Sequence, residues 1–291
     1  MTTFVERNIK IILILPAVLL LLLFTIYPLI NLGVYSFSTY SIHTLNVPLQ
    51  FNGLDNIKSL FQDEQFRNSV KITLIFVFVS VLLEFTLGWI LALFFYHRVV
   101  VSNILQVIFI IPMILPPITI GLIWRLMYNP EFGVINQTLR VFGSTQPPVW
   151  LADPDLALLS VIVVEIWHWT PFVFLLMLAG MHSLPTELYE AAAIDGASAV
   201  QRFRYITAPL LRPIIFTVLM FRTIMCFKAF DQFFILTSGG PGNRTEILGL
   251  YIYKMAFAFG KIGYSSALAL MAIFLMILIT LIFRAIISRV R

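Results

Sequence analysis

Six apolar runs, each long enough to cross a hydrocarbon layer about 30 Å thick, dominate this sequence. They cover roughly 11–35, 70–96, 104–128, 156–181, 209–236 and 265–287. Backbone amides in lipid have no water to bond, so each run is expected to be helical. The fold class that follows is an all-α integral membrane protein with six transmembrane helices. Composition rules out the soluble alternative. Of 291 residues, 60% are hydrophobic and 11% charged, against roughly 45–50% and about 25% in soluble domains. A water-soluble fold of this size could not hide so much apolar surface.

The first run begins after Arg7 and Lys10 and stays apolar through residue 26. It is longer than the core of a secretory signal, no small-residue cleavage site follows, and Tyr27-Pro28-Leu29-Ile30 extends it. A retained membrane helix is expected. Six crossings put both termini on one side. That side carries nine basic residues: Arg7, Lys10, Arg98, Arg202, Arg204, Arg212, Arg284, Arg289 and Arg291. The other side also carries nine, spread over longer loops, so basic density favours cytoplasmic termini. The net charge of +5 reads as loop anchoring in a membrane protein, and without a basic cluster interleaved with aromatics no nucleic-acid partner is expected. No internal repeat is visible, and one transmembrane domain over residues 1–291 is expected. A single cysteine, Cys226, excludes a disulfide within the chain and any cysteine-based zinc site, and in its apolar run it reads as a small packing residue.

No glycine-rich loop ending in Gly-Lys-Ser/Thr is present, so ATP is not bound by that route, and neither His-Glu-x-x-His nor Gly-x-Ser-x-Gly occurs. No catalytic residue, metal site or bound cofactor is expected. Two rival readings are an ion-gradient-driven secondary transporter using Glu84 and Glu165, and an intramembrane enzyme. The second lacks a nucleophile–base pair at matching depth.

The stretch 182–208 is the most informative. Ser183 can cap a helix with Leu184, Pro185 and Glu187 in its first turn, and residues 187–193 are good helix formers. Asp195-Gly196 supplies a corner, and Ser198 can cap a second short helix running to Ile206, with Pro209 and Pro213 marking entry to the next span. Two short helices meeting at a glycine would project from the bilayer. Taken alone, they suit either an interfacial loop or a wedge into a partner's groove.

Within this stretch, Glu190-Ala191-Ala192, Gly196, Ile206 and Pro209 keep a fixed spacing, together with Asp195-Gly196-Ala197, Phe203 and Pro209-Leu210-Leu211. This resembles the EAA coupling loop of ABC importer permeases, with Ala208 standing where leucine is common. Other segments are similar to the maltose-type sugar permeases in particular. They include Leu15-Pro16-Ala17, Phe51-Asn52-Gly53-Leu54-Asp55-Asn56, Ile111-Pro112, Pro116-Pro117, Asn129-Pro130-Glu131-Phe132-Gly133, Thr170-Pro171-Phe172 and Leu236-Thr237-Ser238-Gly239-Gly240-Pro241. The resemblance implies a type I importer architecture in the cytoplasmic membrane. It implies a second, different permease, two ATP-binding-cassette ATPase subunits that hold the ATP and magnesium, and an extracytoplasmic solute-binding protein. Glu190, Ala191, Ala192, Asp195, Gly196, Ala197 and Phe203 would couple to the ATPase. Gly239, Gly240 and Pro241 would face the binding protein, although by its residues alone the segment 238–243 is a flexible, unpaired connector.

Ionisable groups at membrane depth face a cavity or one another. Glu84, Glu165, His168, Arg222, Lys228 and Asp231 are of this kind. Glu165, His168, Trp169 and Phe172 share one face of the fourth helix by spacing. Arg222, Cys226 and Ala229 form a stripe on the fifth. The resemblance makes these two faces a solute pathway by position, though their residue types differ from the neutral polar groups of the maltose case. Counting from the helix ends puts Arg222 and Glu165 at similar depth with Glu84 near, so a buried ion pair and direct solute contact both remain open. A sugar or polyol suits the rings beside Glu165, while Arg222 and Lys228 suit an acidic solute such as a glycerol phosphate. Trp124 and Trp150, near span ends, are expected to be interfacial anchors.

Overall fold

The computed structural model of the chain describes residues 2–42, 49–96 and 102–290. Arg98 and Arg291, on which part of the charge asymmetry rests, lie outside the described residues, as do the side chains of Arg7, Lys10 and Arg289. The elements are α1 Thr2–Ser36, β1 Ser38–Thr39, β2 Gln50–Phe51, α2 Asp55–Gln62, α3 Glu64–Tyr96, α4 Ser102–Ile114, α5 Pro117–Met127, α6 Val134–Val141, α7 Ala157–His182, α8 Thr186–Ile194, α9 Ala199–Arg202, α10 Ala208–Phe227, α11 Asp231–Leu236, α12 Leu248–Tyr253 and α13 Ile262–Val290. A π-helical turn, Phe203–Thr207, joins α9 to α10, and another, Lys254–Ala258, follows α12.

Five helices are long and apolar enough to span a membrane: Leu13–Ser36, Glu64–Tyr96, Ala157–His182, Ala199–Leu236 and Ile262–Ile286. The pair Val107–Ile114 and Pro117–Met127 makes a sixth, bent by 104°. Six runs were expected to be six simple helices, and two are not. The third breaks at Leu115 and Pro116. Pro116 takes an extended backbone (φ −60°, ψ 140°) and Pro117 opens α5, so the ladder of i to i+4 bonds cannot pass through. The fifth stops at Phe227 and resumes at Asp231. Ala229 therefore lies in the break rather than on the helical stripe with Arg222 and Cys226.

Contacts divide the chain into two compact units, residues 1–66 with 251–275 and residues 67–250 with 276–291. In the first, β1 and β2 pair antiparallel with Ser38 opposite Phe51. The Asn56 amide donates to the Ser36 and Ser38 carbonyls at 2.9 and 3.0 Å. Gly263 N–H donates to the Tyr40 carbonyl at 2.9 Å. Asp63, in the hinge between α2 and α3, accepts from the hydroxyls of Tyr251 and Tyr264. Burial pushes its carboxyl up, but those hydroxyls and the backbone N–H groups of Gln65 and Phe66 outweigh it and hold the group below the ordinary aspartate value.

In the second unit α7 is the organising helix. Val173, Phe174, Met177 and Met181 pack on Ala92 and Phe95 of α3 and on Leu211 and Val218 of α10. The closest approach is at Gly88, where a Cβ would come within 2.7 Å of the Val173 side chain, so α3 and α7 meet there through a glycine. Of the two tryptophans expected at interfaces, Trp124 is buried and Trp150 is half-buried. Trp124 packs edge-on against Trp167 and lies beside Tyr128. The Trp150 indole donates to Asn136 Oδ1 at 2.7 Å.

Candidate functional site

Four polar side chains from three helices converge inside the second unit. Glu84 on α3, Glu165 on α7 and Arg222 on α10 are buried to 0%, 3% and 1% exposure. Arg222 donates through Nε to Glu84 Oε2 at 2.6 Å and through Nη2 to Glu84 Oε1 at 2.9 Å. The same Nη2 donates to Glu165 Oε1 at 2.8 Å. The fork grips one carboxylate with two parallel bonds and reaches the second with a third, a geometry only arginine can make. The guanidinium lies 4.8 Å over the Trp169 ring, adding cation–π attraction where water is excluded. Cys226, one turn below, is not a plain packing residue: its sulfur sits 3.1 Å from Arg222 Nη2 and 3.4 Å from Glu165 Oε1.

The pairing expected from depth is therefore present, with Glu84 as the bidentate partner. The cluster holds two carboxylates against one guanidinium, and it ties the three helices together.

Beside it a cleft of about 240 Å³ is lined by Glu165, Trp169, Lys228, Asp231 and Gln232, with Pro117 at one edge. Trp169 and Phe172 are half-buried and their rings meet edge-on at 6.2 Å. His168 is fully buried, and its Nδ1 faces Gln232 Nε2 at 3.0 Å. Gln232 escaped the sequence reading. An amide within an apolar run was the available signal, and only the break at 228–230 shows where it points. Of the residues expected on the solute pathway, Glu165, Trp169 and Ala229 line this cleft. Arg222 and Cys226 stand behind Glu165, and His168 is sealed by Gln232.

The segment 182–208 forms a projection. Ser183, expected as a helix start, instead ends α7, its hydroxyl donating to the Gly180 carbonyl at 2.7 Å. Pro185 precedes α8, which carries Glu190, Ala191 and Ala192. Asp195 ends α8, and Gly196 takes φ +73°, the left-handed conformation that the corner needs. Ser198 and Gln201 form a reciprocal capping box at the start of α9. The second helix does not stop at Ile206. It runs through the π turn straight into α10. The fully described α8 and α9 bury no side chain. Ile194 and Val200, flanking the corner, are 87% and 74% exposed. Phe203 turns back, its ring 5.6 Å from Trp89 on α3.

The segment 238–243 is ordered by its own bonds, contrary to the flexible, unpaired connector expected. Ser238, Gly239, Gly242 and Asn243 take positive φ, and Gly240-Pro241 is cis. The Thr245 hydroxyl donates to the Gly240 carbonyl at 2.7 Å and Gly240 N–H to the Thr237 carbonyl at 2.9 Å. The Asn68 amide donates to the Asn243 carbonyl at 3.1 Å. Gly239 is buried within this turn, while Gly240 and Pro241 are half-buried.

A family model described as the inner membrane component of binding-protein-dependent transport systems matches residues 84–291. The chain belongs to that family. The match takes in the charge cluster, the cleft and the projecting corner of this permease. It is 35% identical to the trehalose/maltose transport system permease protein MalF of Thermococcus litoralis, over 96% of the chain and 93% of that relative. It is 34% identical to the sulfoquinovosyl glycerol transport system permease protein SmoG of Agrobacterium fabrum, over 97% of the chain and 91% of that relative. Among solved structures, a bacterial ABC transporter involved in import of the acidic polysaccharide alginate has a chain that superposes with a TM-score of 0.86 at 24% identity, covering 99% of the permease and 98% of that chain. The fold is thus that of a type I ABC importer permease, and the protein is an integral component of the inner membrane.

Proposed function

We propose that this permease carries a sugar or short glycoside across the inner membrane, powered by a separate ATPase that seats on the corner at Gly196. The observation that carries the reading is the uncovered tip. Ile194 and Val200 stand in the open on either side of a rigid turn, with Glu190 exposed beside them. Exposed apolar side chains rimmed by polar ones suit a partner's groove. In this reading Glu190, Ala191, Ala192, Asp195, Gly196 and Ala197 meet the ATPase, which holds the ATP and magnesium. Phe203 passes the movement to α3 through Trp89. The chain supplies no catalytic group and binds no cofactor. Both termini are cytoplasmic, a second and different permease completes the pathway, and the turn at Gly239, Gly240 and Pro241 meets a solute-binding protein on the opposite side.

The sugar class draws support from two directions. The relatives named for trehalose/maltose and for sulfoquinovosyl glycerol transport cover nearly the whole chain. The cleft also combines the Trp169 ring with the hydrogen-bonding ends of Glu165, Asp231, Lys228 and Gln232. Sugars need both, because their C–H faces pack on rings while their hydroxyls demand partners.

The test is solute-stimulated ATPase and uptake in proteoliposomes holding the assembled complex. Glu190→Arg with Ile194→Asp is expected to abolish both while the permeases still assemble. Uptake at the wild-type rate would overturn the coupling reading. Trehalose and maltose are expected to compete for uptake and glycerol 3-phosphate is not. Competition by the phosphate alone would replace the sugar class with an acidic one.

A further inference from the structure

A second cavity lies away from the cleft, where α3 and α7 end and the projecting segment begins. Its volume is about 380 Å³, within the size of small-ligand sites. Tyr96, Thr186, Tyr189, Arg202, Phe203 and Thr207 line it. Four of these carry hydroxyls and one a guanidinium, and no carboxylate is among its lining residues. Leu93 and Met181 add apolar wall on the side of the long helices.

The local backbone builds this space. The π turn Phe203–Thr207 adds a residue to the helical turn, the Thr207 hydroxyl reaches back to the Arg202 carbonyl, and the Tyr189 and Thr207 hydroxyls meet at 2.8 Å. Single π turns inside helices recur at functional sites. Arg202 is half-buried and makes no ion pair among the described residues. A half-buried guanidinium that shares a cavity with hydroxyls, with no anion beside it among the described residues, suits an anion from elsewhere.

We propose that this cavity holds the phosphate headgroup of an anionic phospholipid. The phosphate would sit on Arg202 and the surrounding hydroxyls, with the glycerol and the start of the acyl chains against Leu93 and Met181. Position favours a lipid over a free anion. The cavity opens where two apolar spans end at Tyr96 and His182, the level at which headgroups lie, and basic pockets between membrane helices at that level take anionic headgroups. Because Thr186 and Tyr189 belong to α8, and Arg202 to α9, the bound lipid braces the projection against α3 and α7. The site stands independently of what the permease transports.

The test uses the complete transporter in neutral phosphatidylcholine nanodiscs carrying a photoactivatable phosphatidylglycerol. Labelling of residues 199–207 is expected, with about fivefold loss in Arg202→Gln. Labelling should be retained in Arg202→Lys, and also in Arg204→Gln, whose guanidinium lies over its own neighbour Tyr205. Thr186→Trp with Ala199→Trp, which crowd the cavity with two added indoles and keep the charge, are expected to abolish labelling, so the proposal is tested even where Arg202→Gln does not assemble. Equal labelling by a phosphatidylcholine probe with the same photoactivatable tail would overturn it. So would complete displacement by millimolar inorganic phosphate, which would assign the site to a free anion. Labelling that appears only after the ATPase is stripped away would give the surface to the ATPase instead.

Discussion

The permease places its polar chemistry in two settings that obey opposite rules. The cluster of Glu84, Glu165 and Arg222 is drawn from three helices far apart in sequence, is buried, and is held by side chains alone. The projection of α8 and α9 is contiguous in sequence, exposed, and held by local devices: a left-handed glycine, a capping box and a π turn. Breaking the first should unfold the protein, because an unmatched charge in a dry interior has nowhere to go. Breaking the second should leave the fold standing and uncouple it, because α8 and α9 bury no side chain.

The sharpest way to break this contrast is Arg222→Met. It leaves two carboxylates facing each other without a cation and is expected to cost about 3–5 kcal/mol. Thermal-shift size exclusion in detergent would show it as loss of monodisperse protein. Glu84→Gln, which leaves a one-to-one pair of Arg222 with Glu165, should cost markedly less. The triple change of all three to Met should recover most of the loss, since apolar replacement of a whole buried pair is often neutral. Equal losses in all three would mean that the cluster is not a charge balance.

Gly196→Val comes next. A β-branched residue at φ +73° is strained by about 1–2 kcal/mol. The melting temperature should shift little, while solute-stimulated ATPase falls to the basal rate. A melting shift as large as that of Arg222→Met would erase the distinction between the two regions. Ser198→Ala removes one half of the capping box and is expected to cost about 1 kcal/mol, confined to α9. Hydrogen exchange should quicken at residues 199–202 and not in α7.

The smallest expected effect lies in the first unit. Asp63 is held below its ordinary value of 3.8, so its contribution is complete above that value and is lost as pH falls through the lower folded one. Asp63→Asn should cost about 1 kcal/mol after allowance for its partial exposure, constant between pH 5 and 8 and shrinking below about pH 4. A difference that grew on acidification would reverse the sign.

Much of this was legible in the residues because lipid is a demanding solvent. Runs of 20 and more apolar residues cannot hide, and three ionisable groups at matching depth had little choice but to meet. The glycine corner was legible because Asp195-Gly196 follows a run of helix formers and Ser198 comes after it. The interruptions were harder. Around Lys228-Ala229-Phe230 the polar residues Lys228, Asp231 and Gln232 are too few between two apolar runs for hydropathy to stop the helix, so the stripe containing Ala229 was extended one turn too far. Gln232 was lost with it. Ser183 could serve either end of a helix, and α7 simply ran on to claim it. Cys226 was read from its neighbours in sequence, whereas its chemistry comes from Glu165, 61 positions away.

That thiol gives the protein a built-in reporter. It is the chain's sole cysteine, it is sealed at rest, and it touches both Arg222 and Glu165. A maleimide can reach it only when α7 and α10 draw apart. The alkylation rate of the unmodified protein therefore counts how often the bundle opens during turnover, with no engineered label and no second thiol in the chain to confuse the signal.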